Sequence, residues 1–211
     1  GSLKVKGPTG LVLAAAEATP TELPGGAVQD GTKPPAAVEL RDVVINIDSP
    51  SLAQQLKIDG SANVAGGTVT INQTITNLFD AEGKLAPMNA NPVGSINVQK
   101  VPAAAIAAFA PGQEAMVNSL IGNGLNATVD TSMDGADLRA AIQAKAAGLD
   151  SKITAVRQPQ SLRVSEGRIA LTVTPEMAKA LQSNKDDAIE LGEATTAIVQ
   201  LQPLELPASS P

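Results

Sequence analysis

The sequence predicts a mainly β fold, a long antiparallel sheet capped by short helices, on three observations. Apolar and polar residues alternate over several long stretches, as in strands with one buried face. Glycine- and aspartate-bearing turns separate those stretches at hairpin spacing. Proline stands where two strand patterns give way to helical ones, Pro102 and Pro175. Its fixed φ suits a helix start, and its missing N–H would be unpaired there anyway.

Composition narrows the chemistry. Of 211 residues 43% are apolar, yet there are two Phe and no Trp or Tyr. The core is therefore Val, Ile, Leu and Ala, which favours extended sheets and argues against the aromatic platforms that bind sugars or single-stranded nucleic acid. A net charge of -6, with fifteen Lys and Arg scattered along the chain, makes nucleic acid an unexpected partner. The absence of Cys and His removes disulfides, the thiol nucleophile, the usual general base and the common zinc ligands. No cofactor, metal or catalytic residue is expected. The longest apolar run, residues 103–110, is far below the roughly 20 residues that cross a bilayer. Gly1-Ser2 resembles a cloning scar, so the expectation is a segment of a longer protein, with any membrane anchor or localisation signal outside it.

Taken in order, residues 1–37 read as a loop-rich arm, either one or two strands joined by a long loop or a disordered segment. Residues 38–48 form a β-branched strand closed by Ser49-Pro50, residues 51–56 one helical turn, and residues 57–60 and 62–65 strand again, with a turn at Gly66-Gly67. The clearest half-buried strand is 68–77, with Val69, Ile71 and Ile75 on one parity. After a turn-rich stretch, Ile96 and Val98 alternate with polar neighbours up to Pro102. Two short helices follow within 102–121: an alanine-rich one carrying Ile106 and Phe109, then, past Pro111-Gly112, one with Met116, Val117, Leu120 and Ile121 on a stripe and Gly122 as its cap.

Leu125, Ala127, Val129, Thr131 and Met133 share one face of the next strand. A turn at Asp134-Gly135 leads to Leu138, Ala140, Ile142, Ala144 and Ala146, a segment that is strand by alternation and helix by alanine content. A hairpin near Asp150-Ser151 and another at Glu166-Gly167 complete the meander. Thr174 caps a helix over 175–183, with Glu176 at its positive end. A strand over 195–201 closes the domain, placed at 38–202, and 203–211 reads as a frayed proline-rich tail or linker. Superposing Pro175 on Pro102 lays Ile169 on Ile96 and Leu171 on Val98, which suggests a duplication or a coincidence of alternation.

Several motifs have bland readings. Asp130, Asp134 and Asp137 lack EF-hand spacing and read as turn residues. Gly122-Asn123-Gly124 follows a helix and so cannot cradle phosphate at a helix start. Asp186-Asp187 and Glu190 with Glu193 read as a solvated cluster, and the sequons at Asn72 and Asn126 arise freely in strands rich in Asn and Thr. The aliphatic face itself has two readings: a core filled by the helices, or a groove left open for an apolar ligand.

The succession GKLAPMNANPVGSINVQKVPAAAIAAFAP, then Leu120-Ile121-Gly122 with GLNATVDTSMDG, then SKITAVRQPQSLRVSEGRIALTVTPEMAKAL, resembles the repeating strand-and-short-helix segments of the bacterial AsmA-like, TamB-like family of envelope proteins. The similarity spans about residues 40–181. It implies a long sheet curled into a trough with an aliphatic interior, in the periplasm of the cell envelope, that serves phospholipid movement beside neighbouring segments of the same chain. No catalytic residue carries over. Val69, Ile71, Ile75, Ile96, Val98, Leu125, Val129, Ile169, Leu171 and Val173 become the trough-lining candidates. A structural module that pairs through strand edges, and a hydrolase using Asp134 and Asp137, are the alternatives.

Overall fold

The computed structural model describes residues 2–6, 11–13, 38–51, 55–80, 82–110, 113–158, 161–175, 177–178 and 191–207. Among them lie twelve strands: β1 Ser2–Lys6, β2 Leu11–Leu13, β3 Val38–Ser51, β4 Gln55–Val64, β5 Gly67–Thr76, β6 Asn91–Val101, β7 Leu125–Asp134, β8 Asp137–Lys145, β9 Leu149–Gln158, β10 Ser161–Val173, β11 Thr195–Leu201 and β12 Leu204–Pro207. Helices α1, Ala103–Ala107, and α2, Glu114–Ile121, interrupt the series between β6 and β7. All strands join one antiparallel sheet in which β3 to β10 follow each other in chain order. The sheet stays open. β1 and β2 lie end to end along β3, and β11 and β12 lie end to end along β10.

The pairing register turns the alternation of each strand into a two-faced sheet, because directly opposed residues point to the same side. One row runs Ile71, Ile96, Val129, Ile142, Ile153 from β5 to β9. The row beside it runs Thr70, Asn97, Thr128, Gln143, Lys152, Arg168 and Gln200. One face is thus aliphatic and the other polar across the whole meander.

The helices cover one end of the aliphatic face. Pro102 is extended (φ −70, ψ 153) and is the N-cap of α1 rather than its first residue, so the helix starts at Ala103, one position later than expected. Small alanine side chains let α1 lie close to the strand ends: Ala105 and Ala108 pack with Val38 and Val101, while Val64, Val69 and Val98 flank them. Ala103 and Ala107 join Val117 and Ile121 of α2, against Leu125 and Ala146. Gly122 caps α2 as predicted, with φ 57 and its N–H donated to Asn118 O.

Several local expectations differ from the fold. Pro50 does not close β3, which runs through it to Ser51; β1 pairs only as far as Asp48, so no neighbour asks for the missing proline N–H. Gln55 and Leu56 begin β4 rather than ending a helical turn. The β4–β5 turn is Ala65-Gly66, both with positive φ (50 and 94), as tight hairpins require, and Gly67 already belongs to β5. The β7–β8 turn is Gly135-Ala136, with Asp134 and Asp137 as the pair that closes it. The segment open to either strand or helix is β8, and β9 is unbroken at Asp150-Ser151.

Glu166-Gly167 is not a turn. β10 continues through a bulge there, and Gly167 is small because Leu201 packs over it; a Cβ would stand 2.7 Å from Leu201 Cδ1. Part of the predicted tail is strand β12, paired with β10. Thr174 does cap the following turn, accepting the Met177 N–H at 3.2 Å, and Pro175, Met177 and Ala178 are helical. The predicted positions Pro111, Gly112, Glu176, 179–183 and 186–190 lie outside the described residues.

Gly94 marks the closest approach of two backbones. Its φ is 139, and a Cβ on it would meet Asn72 O at 2.1 Å. Gly66 also has positive φ, with nothing within 4 Å. Gly94→Ala is therefore expected to cost about 3 kcal/mol or more in urea unfolding, against about 1–2 kcal/mol for Gly66→Ala, where only the backbone preference is lost. Equal losses would show that the close approach relaxes.

Candidate functional site

The ten trough-lining candidates sit on one face. Val69, Ile71 and Ile75 come from β5, Ile96 and Val98 from β6, Leu125 and Val129 from β7, and Ile169, Leu171 and Val173 from β10, all of one register parity. Each is half-buried, and no large side chain of the described residues is fully enclosed. Most buried apolar residues gather instead around α1 and α2, as Val38, Val101, Val117, Ile121 and the alanines of α1, with Ala170, Met177 and Ala178 buried elsewhere. The two readings of the face therefore divide by position. The helical end is a filled core, and the remainder is a partly exposed aliphatic surface.

Two polar groups interrupt that surface. Gln73 lies on it, yet is only 4% exposed. Its cross-strand neighbour is Gly94, which has no side chain, so the amide settles into the gap and reaches the strand beyond. There the Thr131 hydroxyl stands 3.4 Å from Gln73 Oε1 and 3.3 Å from Gly94 O, sharing one proton between two acceptors.

The second interruption is Arg157, paired across the strands with Leu138 and Leu162. Outside the bulged positions it is the single charged side chain that the register places on the aliphatic face among the described residues. Its Nη1 donates to Met88 O at 3.1 Å, and its Nη2 donates to Ala90 O at 2.8 Å and to Asn91 Oδ1. These acceptors precede or begin β6, three strands away, about 14 Å in a flat sheet. The segment entering β6, with its 3-10 turn at Pro87–Asn89, thus leans over the aliphatic face at the end opposite the helices.

Neither residue was singled out by sequence reasoning. The signal was present: the parity that puts Ile153 and Ala155 on the apolar side puts Arg157 there too.

The carboxylates have other partners. Asp134 pairs with Arg139 at 2.6 Å and Asp137 accepts from Gln158 Nε2 at 3.1 Å, so the two are held by different side chains. Asn126 Oδ1 accepts the Lys100 N–H in the β6 bulge, and Asn72 is exposed on the polar face. That face also has a shallow depression of about 290 Å³ lined by Asp150, Lys152, Glu166, Gly167, Arg168 and Gln200, where opposite charges offset each other. Among the described residues no helix is long and apolar enough to cross a membrane, which leaves strands unaddressed. No family model matches the chain, and neither the curated proteins nor the solved structures contain a match.

Thr131→Val removes the hydroxyl that answers Gln73 and should cost about 1 kcal/mol in thermal or urea unfolding. Gln73→Met keeps the length, leaves Thr131 bonded to Gly94 O, and should be neutral or stabilising. A loss in Gln73→Met larger than in Thr131→Val would mean the amide has further partners.

Proposed function

We propose that this chain is a non-enzymatic segment of a bacterial envelope protein whose aliphatic sheet face takes up phospholipid acyl chains, for lipid passage or envelope assembly. One observation carries the reading: outside the two packed clusters at the helical end, the aliphatic side chains of the face stay partly exposed. Ten strands in sequence at about 4.8 Å spacing make that face some 43 Å wide. Soluble monomers seldom expose contiguous apolar patches beyond roughly a few hundred Å² unless something binds there.

The mechanism is passive. Acyl chains displace water from the face, gaining about 0.8 kcal/mol per buried methylene, while headgroups stay at the solvated rim. The resemblance to the AsmA-like family supports the periplasmic setting, the trough shape, and neighbouring segments of a longer chain as structural partners.

The chain lacks Trp and Tyr, so one introduced Trp reports without background. Ile142→Trp places it on the aliphatic face and Gln143→Trp on the polar face. Phospholipid with brominated acyl chains is expected to quench the first several-fold more than the second. Equal quenching, or none, would remove lipid carriage by this face.

A structural module is the second reading, favoured by one edge. β11 and β12 keep one register along β10, from Val173 opposite Thr195 to Ser161 opposite Pro207, so they form a single long edge broken at Gln202-Pro203. β11 bears no charge, and its Ile198 and Val199 are 58% and 47% exposed on opposite faces. Such an edge pairs readily with another strand. In this reading Ile198→Lys lowers association in sedimentation experiments, and a wild-type chain monomeric at all concentrations rejects self-pairing.

A further inference from the structure

We propose that Arg157 is the headgroup site of the aliphatic face: it holds the phosphate or carboxylate of an amphiphile whose acyl chain lies along the strands toward α1 and α2. The inference rests on the lipid reading above and adds to it the charge and the orientation of the ligand.

The first support is position. Arg157 stands between leucines on a face otherwise built of aliphatic, small and neutral polar side chains, so a ligand lying on that face meets one charge there. An apolar surface with a single cation at one end complements a molecule with an apolar tail and a single anionic head.

The second support is the state of that charge. On the polar face Lys57 pairs with Asp59 at 3.2 Å and Arg139 with Asp134, while Lys145, Lys152, Arg163 and Arg168 are exposed to water. Arg157 has no ion pair among the described residues, and its three acceptors are neutral. A guanidinium has five N–H donors, and the three hydrogen bonds leave two. Holding the segment before β6 would need donors but not a net charge. A half-buried cation without a counter-charge is costly, and an oxyanion is the partner for which its planar donor set is suited.

The third support is length. From Arg157 to Leu149 at the start of β9 is eight residues, about 26 Å of strand. An acyl chain spans half of a bilayer's hydrocarbon core of roughly 30 Å, or about 15 Å. The tail therefore fits between Arg157 and the helical end, short of the packed cluster of Ala107, Val117 and Ile121. The exposed Leu85 and Met88, at 64% and 79%, belong to the same leaning segment and can close over the chain near its head.

The test compares three probes on the Ile142→Trp background, each below its micelle concentration: dodecyl phosphate, dodecyl maltoside with the same tail and a neutral head, and inorganic phosphate. Dodecyl phosphate should bind at least tenfold more tightly than the maltoside, and this preference should shrink as salt is raised. Arg157→Gln should abolish the preference, so that dodecyl phosphate binds no more tightly than the maltoside, and Arg157→Lys should retain part of it.

Equal affinity for the two amphiphiles in the Arg157 protein would overturn the headgroup site while leaving the apolar reading intact. No binding of either amphiphile rejects both. Inorganic phosphate binding as tightly as dodecyl phosphate would mark a site for free anions and overturn the amphiphile assignment. The salt dependence needs no substitution at Arg157, so a poorly folded Arg157→Gln protein does not remove the test.

Discussion

The rest of the structure depends on the cross-strand register that keeps most of the aliphatic residues on one side of a single sheet. A one-residue slip in any pair would carry a strand's whole apolar set to the polar face. The chain guards against this with short turns between β4 and β5 and between β7 and β8. Bulges in β3, β6 and β10 fall near strand ends or beside glycine, where the shift is absorbed without mixing the faces. Hydrogen bonding along so long a meander satisfies the backbone without any second layer. That is why the sheet can persist while much of its aliphatic side remains partly in contact with water.

The scarcity of aromatic side chains, two Phe in 211 residues, fits this arrangement. Two facing sheets pack about 10 Å apart and need bulky residues to fill the space between them. Here the closely packed region is thin and is built mainly from alanine and valine where α1 and α2 cross the strand ends. The proline at the passage from β6 to α1 makes that crossing abrupt: past its bulge the strand stays paired at Val101, Pro102 remains extended, and the helix begins at once. A gradual transition would have carried the chain away from the sheet before the alanines could pack on it.

Much of the fold was legible in the sequence because alternation is a local signal. Val69, Ile71 and Ile75 declare their face within one strand, and the register shows the same face continuing through Ile96, Val129 and Ile142. What could not be read was decided by neighbours. Glu166-Gly167 has the composition of a turn, but its glycine answers Leu201 on the adjacent strand, a contact between residues far apart in sequence. Leu204 to Leu206 sit among prolines and read as a tail, yet β10 is long enough to pair with them. Burial was likewise unreadable, since the same ten residues serve a filled core or an open surface, and the difference lies in how far the two helices extend over the sheet.

The two polar interruptions of the aliphatic face show how the same local pattern acquires different meanings. Gln73 is almost completely buried, and its environment was made for it: Gly94 supplies the space and Thr131 the hydroxyl. Its amide oxygen is answered inside the sheet. Arg157 is half-buried and receives only neutral carbonyl oxygens and an amide, from a segment that reaches across from another strand. Those contacts satisfy hydrogen-bond geometry but leave the charge uncompensated. The contact with Thr131 gives Gln73 an internal structural role, whereas at Arg157 such a role accounts for three of the five donors and not for the charge, and the missing counter-charge is what an anionic ligand on this face would supply.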